Sequence, residues 1–249
     1  MIKNIALGIQ AYFGAFNLIS KLKLWKYFAV PMLISFVIAI VIGVSAYVLS
    51  DNIGFYISKL WVWEWGKETF TTIGNILGGL FIVLLGLILY KHIIMALSAP
   101  FMSPVSEKIE IHLVGESRSQ RITSFTDQLL RGIRINVRNL GMELVLTIPI
   151  LLLGFIPIIG IFSTVILFLV QAYYAGFGNM DYTLERHYKY NESIQFVRNH
   201  RGLAIGNGII FMLFLLIPVI GAILVLPLST TAASINTVKA IQLKQVNER

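Results

Sequence analysis

The chain of 249 residues is 57% hydrophobic and only 13% charged, with a mean hydropathy of +0.79. Soluble domains carry about 25% charged residues, so this composition excludes a soluble enzyme and a disordered chain. The absence of cysteine excludes a disulfide scaffold. A net charge of +8 would suggest nucleic acid in a soluble protein, but here the charges separate apolar runs. We therefore expect an all-α integral membrane protein without a nucleic-acid partner.

The first predicted element is an amphipathic helix within residues 1–20. Lys3 is the only charged residue of this segment, and apolar side chains recur in it at helical spacing: Ile2, Ile5, Ile9, Phe13 and Phe16. A helix with one apolar face and few charges is typical of an element lying along the membrane interface.

Two uncharged runs follow, Tyr27–Ser50 and Thr69–Tyr90. Each is long enough for one helix across the hydrocarbon core, which needs about 20 residues. Helices are expected because every backbone N–H and C=O in lipid must be paired within its own segment. We predict two long transmembrane helices, with the tryptophans of the loop between them at headgroup level: Trp61, Trp63 and Trp65.

The connection between residues 91 and 143 is the most polar part of the chain. Its first part, through Glu107 and Glu110, is predicted to continue the second transmembrane helix, with a break at Pro104. Three arginines then lie at i, i+3 and i+7 on one helix face: Arg131, Arg134 and Arg138. Clustered guanidinium groups attract and bind oxyanions, but basic residues beside membrane helices also bind lipid phosphates or fix topology.

Two longer uncharged runs, Leu144–Met180 and Gly202–Val238, are each interrupted by the pattern Ile-Pro-x-x-Gly. Pro removes a backbone donor and Gly permits a tight turn, so each pattern predicts a corner between two helices. Each run is shorter than two crossings and a turn require, which is more than about 40 residues. We predict two re-entrant helical hairpins; two pairs of short tilted spans are the alternative. The predicted turn residues are Pro157, Gly160, Pro218 and Gly221.

The distribution of basic residues predicts an orientation. If both hairpins return to their starting side, only Lys59 and Lys67 of the 20 basic residues lie in the loop between the two crossings. The positive-inside rule then places both termini in the cytoplasm.

Short motifs along nearly the whole chain occur in a familiar order and spacing. They are Leu97–Phe101 followed by Glu107 and Glu110, Phe155–Gly160, Asp181-Tyr182 followed by His187, and Ile217-Pro218 followed by Ser229–Ala233. In this order they resemble the CysZ sulfate-permease family, which shares a superfamily with the etoposide-induced membrane proteins. The resemblance implies one bacterial inner-membrane domain over residues 1–249, two hemi-penetrating hairpins, assembly into homo-oligomers, and passage of sulfate into the cytoplasm for cysteine synthesis.

The resemblance also implies an anion site before the first span, where the family has Pro-Gly-x-Arg-Arg and where free N–H groups at a helix start bind anions. Here Lys23 stands at the Gly position, Leu24 follows it, and Trp25 and Lys26 replace the two arginines. Positive charge remains, but lysine lacks the fork geometry of arginine.

The leading hypothesis is therefore a channel-like or gradient-coupled oxyanion permease, with sulfate as the first candidate substrate. The anion would meet Lys23, Lys26 and the backbone at Leu24 and Trp25. Arg131, Arg134 and Arg138 would supply a positive electrostatic field on the inner side. Glu107 would pair with one of these arginines as a structural partner. The rival is a non-transporting scaffold or lipid-organising protein, which the departures from the family pattern favour.

An enzyme is not expected, because the sequence has neither a Walker A motif nor GxSxG. The four histidines lack metal-ligand spacing, so no metal or cofactor is expected either. Membrane lipids are the other expected partners.

Overall fold

The structure is a computed structural model that describes residues 1–59, 66–115, 121, 123–154, 156, 159–217 and 220–247. The elements in these ranges are all helical, which confirms the predicted class. A 3-10 turn at Leu24–Tyr27 lies between the first two helices. The α-helices are α1 (Ile2–Lys21), α2 (Ala29–Ser58), α3 (Lys67–Leu97), α4 (Ala99–Val114), α5 (Phe125–Gly154), α6 (Ile159–Leu184), α7 (Tyr190–Asn199), α8 (Arg201–Leu215) and α9 (Ile220–Asn247).

Three helical segments of the described chain are long and apolar enough to cross a membrane: Leu24–Ser50, Phe125–Gly154 and Ile159–Leu184. A fourth arises if Ile88–Leu97 and α4, which meet at 66°, form one broken span. The expectation that the second long helix continues unbroken to Pro104 is therefore wrong, because the chain bends at Ser98 and Pro104 lies inside α4. The second residue of α4 is Pro100, a position where the missing N–H is not needed.

The chain divides into two compact units, one of Ile34–Lys91 and one of Met1–Leu33 with His92–Arg249. In the first unit α2 and α3 pack closely, since a Cβ on Gly86 would meet the side chain of Ile42. The predicted aromatic cluster of Trp61, Trp63 and Trp65 lies outside the described residues. The assignment of residues 1–249 to one membrane domain stays a prediction.

In the second unit α6 packs against α5, α8 and α9, and α1 packs across α8 and α9. The buried face of α1 comprises Gly8, Tyr12, Ala15 and Ile19. Three of its apolar residues point outward instead: Ile2, Phe13 and Phe16. The position of α1 at the membrane interface stays a prediction.

A close helix contact in this unit joins α6 and α8. A Cβ on Gly176 would overlap the carbonyl oxygen of Ala204, and a Cβ on Gly208 would overlap that of Ala172. Each helix thus presents two small residues four positions apart. This spacing allows the backbones of two membrane helices to approach closely.

The two predicted corners fall at helix breaks. One helix ends at Gly154 and the next begins at Ile159, while α8 ends at Leu215 and α9 begins at Ile220. Gly160 donates its backbone N–H to Ile156 O at 3.0 Å, and Gly221 donates to Ile217 O at 3.0 Å. Pro157 and Pro218 lie outside the described residues. How deep either corner sits in a membrane stays a prediction.

Candidate anion-binding site

A cavity of about 370 Å³ between the starts of α5 and α7 collects four basic side chains. We call it the basic pocket. Its lining residues are Arg121, Thr123, Asp127, Leu130, Arg131, Arg134, Lys189 and Tyr190. Two of the three arginines predicted from the sequence lie here. Arg121 and Lys189 were not predicted, because they lie in connections whose positions only the tertiary fold determines.

Local hydrogen bonds position both helix starts at the basic pocket. At the start of α5, Ser124 N and Oγ donate to Asp127 Oδ2 at 3.2 and 2.6 Å, and Asp127 N donates to Ser124 Oγ at 3.2 Å. At the start of α7, Lys189 N donates to Glu192 Oε2 at 2.7 Å. These reciprocal bonds occupy N–H groups of the first turns. The basic side chains that line the pocket are the charged groups that an anion there would meet.

Arg131 is held tightly within the protein. Its Nε and Nη2 donate to Asp181 Oδ2 and Oδ1 at 3.0 and 2.9 Å, a bidentate pair. Its Nη1 donates to Tyr188 O at 2.8 Å, and its Nη2 also donates to Ser193 Oγ at 2.7 Å. Arg131 therefore joins α5 to α6 and α7, and most of its donors are occupied.

Arg134 and Lys189 are the exposed cations of the basic pocket, together with Arg121. The Arg134 guanidinium lies over the Tyr190 ring, 4.0 Å from its centroid. Stacking of this kind fixes the plane of the guanidinium while leaving its N–H edge available to a ligand. Arg121 Nη1 donates to Tyr188 O at 3.1 Å.

Arg138 and Glu107 lie elsewhere. Arg138 donates from Nη1 to Asn139 Oδ1 at 3.0 Å, and its guanidinium lies 5.4 Å from the centroid of the Phe177 ring. Glu107 lines a different cavity, beside Lys108 and His112. Within the described chain Glu107 has no ion pair, and its predicted role as an arginine partner stays a prediction.

The segment at Lys23–Lys26 packs beside α4. Lys23 has φ +52° and ψ +43°, the left-handed conformation that glycine adopts most easily, so the local backbone is glycine-like although the residue is lysine. Leu24 is fully buried, and Trp25 packs against Phe16 and Phe28 with ring centroids 5.8 and 5.0 Å away. Lys26 Nζ lies 5.3 Å from the centroid of Tyr27. The cavity beside Tyr27 and the basic pocket are lined by different residues.

A buried set of charges, which we call the ion-pair cluster, adjoins the basic pocket through Arg131. Arg186 Nη2 donates to Glu110 Oε2 at 3.0 Å, and His187 Nε2 lies 2.9 Å from Glu110 Oε1. The cluster comprises Glu110, Arg131, Asp181, Glu185, Arg186 and His187. In the sequence these residues, apart from Glu110 and Arg131, form a group of charges directly after the last apolar run of α6. The ion pairs with α4 and α5 were not predicted.

Glu185 follows the last residue of α6 and is 2% exposed. Burial raises the pKa of this carboxyl to about 7. The negative charge of Asp181 also raises the pKa, whereas a hydrogen bond from Ser103 and the charges of Arg131 and Arg186 lower it. Glu185 therefore gains or loses a proton as the pH passes through the neutral range, and this changes the net charge of the ion-pair cluster.

Neutral polar side chains continue from the ion-pair cluster into the packed helices. Ser106 Oγ lies 2.9 Å from Thr183 Oγ1, and Thr183 donates to Ser234 Oγ at 3.1 Å. Further along, Asn179 Nδ2 donates to Asn207 Oδ1 at 2.8 Å. Such buried bonds connect α4, α6, α8 and α9 in an otherwise apolar interior.

Together these features define an all-helical membrane protein with three or four membrane-capable helices and a basic pocket where two helices start. The family model for Sulfate transporter CysZ/Etoposide-induced protein 2.4 matches residues 11–227, so the chain belongs to this family. It is similar to the Sulfate transporter CysZ of Pseudomonas fluorescens (strain Pf0-1), with 27% identity over 174 residues, which cover 68% of this chain and 69% of that protein. The predicted family is confirmed, and membership of this family agrees with the expectation that the chain is not an enzyme.

Proposed function

We propose that this protein carries a small oxyanion, sulfate first, across the bacterial inner membrane for cysteine biosynthesis. Membership of the CysZ family over residues 11–227 carries the proposal, and the relative from Pseudomonas fluorescens is named a sulfate transporter. The protein would act as a channel-like or gradient-coupled permease, with both termini cytoplasmic and several copies in a homo-oligomer.

The basic pocket is the proposed entry site for the anion. A net charge of +8 raises the local anion concentration. Arg134, Arg121 and Lys189 then supply exposed N–H donors, and Arg131 adds charge while its donors hold the helices in place. Lys23 and Lys26 would form a second basic surface, with the glycine-like backbone at Lys23 supporting the family's anion-binding loop.

Sulfate uptake tests this proposal. Purified protein in proteoliposomes is expected to take up radiolabelled sulfate above empty vesicles. The double variant Arg134→Gln with Lys189→Gln should lower the initial rate at subsaturating sulfate about tenfold, because losing two charge-assisted contacts weakens anion binding by roughly 1.4 kcal/mol. Lys3→Gln with Lys239→Gln removes two exposed charges away from the pocket and should leave uptake unchanged. Wild-type protein that transports neither sulfate nor sulfite would refute the proposal.

The hairpins are proposed to be re-entrant. After its last charge, α5 continues only from Leu144 to Gly154, about 16 Å of helix, and the 15 residues of α8 span about 22 Å. Both lengths are shorter than the roughly 30 Å hydrocarbon core, although α5 as a whole and α6 are each long enough to cross it. We expect single cysteines at Ile158 and Val219 to resist an impermeant thiol reagent added from the periplasmic side. Rapid labelling at both sites would instead support two pairs of full spans.

A second candidate is a membrane protein that organises lipids or partners without transport. The observation in its favour is that Arg131 is committed to Asp181, Tyr188 and Ser193. In addition, Trp25 and Lys26 stand where the family loop has two arginines. It predicts folded, monodisperse protein without sulfate flux in the uptake assay above.

A further inference from the structure

A second basic site lies away from the basic pocket, where α7 ends and α8 begins. Arg198 is on the last turn of α7, and Arg201 is the first residue of α8. Arg201 Nε donates to Arg198 O at 3.0 Å, which holds the Arg201 guanidinium beside the backbone of Arg198. Both side chains are exposed. They line a cavity of about 490 Å³ that also reaches α5 and α6.

A third arginine, Arg138 of α5, lies near the cationic end of this cavity but is not one of its lining residues. The charges of Arg138, Arg198 and Arg201 all act on the hydroxyl of Tyr173, so the three guanidinium groups lie within electrostatic reach of one tyrosine. Tyr173 in turn packs beside Phe177, the ring that Arg138 covers. The nearby carboxylate is Glu143, which is buried and lies 3.1 Å from His92 Nε2. The exposed groups at this end are therefore positive.

The rest of the cavity is apolar. Its walls are Leu146 of α5, Ile166, Leu169 and Val170 of α6, and Ile205 of α8. Ile166 is seven residues before Tyr173, so the apolar wall extends about 10 Å along α6 from the arginines. Leu146 and Ile166 are 38% and 48% exposed. The cavity is thus a groove with cations at one end and a hydrocarbon-compatible surface leading away from them.

We propose that this groove binds one anionic glycerophospholipid, with its phosphate at Arg198 and Arg201 and an acyl chain along the apolar wall. Charge complementarity selects the headgroup, since the two lining guanidinium groups match phosphate oxygens and Arg138 adds positive charge nearby. The apolar wall selects a lipid over a free anion, because only an acyl chain covers Leu146, Ile166 and Val170. The site lies beyond the proposed transport function and does not depend on it.

Lipid binding is measured by native mass spectrometry of delipidated protein titrated with dioleoylphosphatidylglycerol, with dioleoylphosphatidylcholine as the neutral comparison. Wild-type protein should prefer the anionic lipid. Arg198→Gln with Arg201→Gln should weaken its binding roughly 30-fold, since each basic residue near the surface contributes about a factor of five. Arg198→Lys with Arg201→Lys should keep most of the binding, and Lys3→Gln with Lys239→Gln should match wild type.

The apolar wall is tested with a matched pair of variants on α6. Ile166→Asn lies in the groove and should weaken binding of the lipid, whereas Ile161→Asn, at a position 74% exposed outside the lining residues, should not. Thermal unfolding of each variant in detergent establishes that it is folded. The proposal would be overturned if Arg198→Gln with Arg201→Gln bound the anionic lipid as tightly as the wild-type protein does. Equal competition by the deacylated headgroup glycerophosphoglycerol would overturn it too, because the site would then hold a free oxyanion.

Discussion

Replacement of Arg186 by methionine is expected to destabilise the folded protein by about 3–5 kcal/mol, because it leaves the buried Glu110 carboxylate without its guanidinium partner. Arg186 is 4% exposed and its Nη2 donates to both Glu110 Oε2, at 3.0 Å, and Ser106 Oγ, at 2.8 Å. Its Nη1 donates to Tyr182 O at 3.0 Å. Denaturant unfolding in detergent, followed by circular dichroism, measures the change.

The matched control for Arg186 is Arg198→Met, an exposed arginine on α7, which should change the free energy of unfolding by less than about 0.5 kcal/mol. The double variant Arg186→Met with Glu110→Gln should recover part of the loss, since both charges are then removed. If Arg186→Met unfolds at the same denaturant concentration as wild type, the ion-pair cluster does not hold α4 to α6.

Gly208→Leu is expected to cost about 3 kcal/mol of stability, the upper end of the usual cost of overpacking, because a side chain there has no space between α8 and α6. A Cβ at this position would overlap the carbonyl oxygen of Ala172, and the same holds for Gly176 against Ala204. Backbone atoms on the facing helix cannot rotate away as a side chain can. The two helices must therefore separate, and the polar bond between Asn179 and Asn207 would break with them.

The control for Gly208 is Gly14→Leu on α1, where an added Cβ meets nothing within 4 Å. This variant should be as stable as wild type or slightly more so, since glycine is a poor helix former. Thermal unfolding in detergent and size-exclusion profiles compare the two variants. Equal melting temperatures would show that the α6–α8 contact is looser than described.

The positions of the long helices could be predicted from charge-free length alone. Lipid forces helices on any apolar run, so the runs Tyr27–Ser50 and Thr69–Tyr90 correspond to parts of α2 and α3. The bend at Ser98 could not be predicted from the length of the charge-free runs. A proline within the first turn of a helix and a proline that breaks a helix look alike in sequence, and here Pro100 is the former while Pro104 is tolerated inside α4.

The site could be predicted only where its residues share one helix. Helical spacing placed Arg131 and Arg134 on one face, and both line the basic pocket. Spacing alone could not show that Arg131 is bonded to Asp181, 50 residues away, or that Lys189 joins the pocket from another connection. Such pairings depend on how α5, α6 and α7 pack, and no local pattern records that.

The ion-pair cluster also constrains the order in which parts of the chain can pack during biosynthesis. Glu110 is made 76 residues before Arg186, and Arg131 is made 50 residues before Asp181. At translation rates of about 5–20 residues per second, Glu110 waits about 4–15 s for its partner. During that interval an unpaired carboxylate is costly in lipid, so we expect Glu110 to remain in contact with water until Arg186 has been synthesised. The ion pair between Glu110 and Arg186 can form only after the chain has been synthesised through α6 to Arg186.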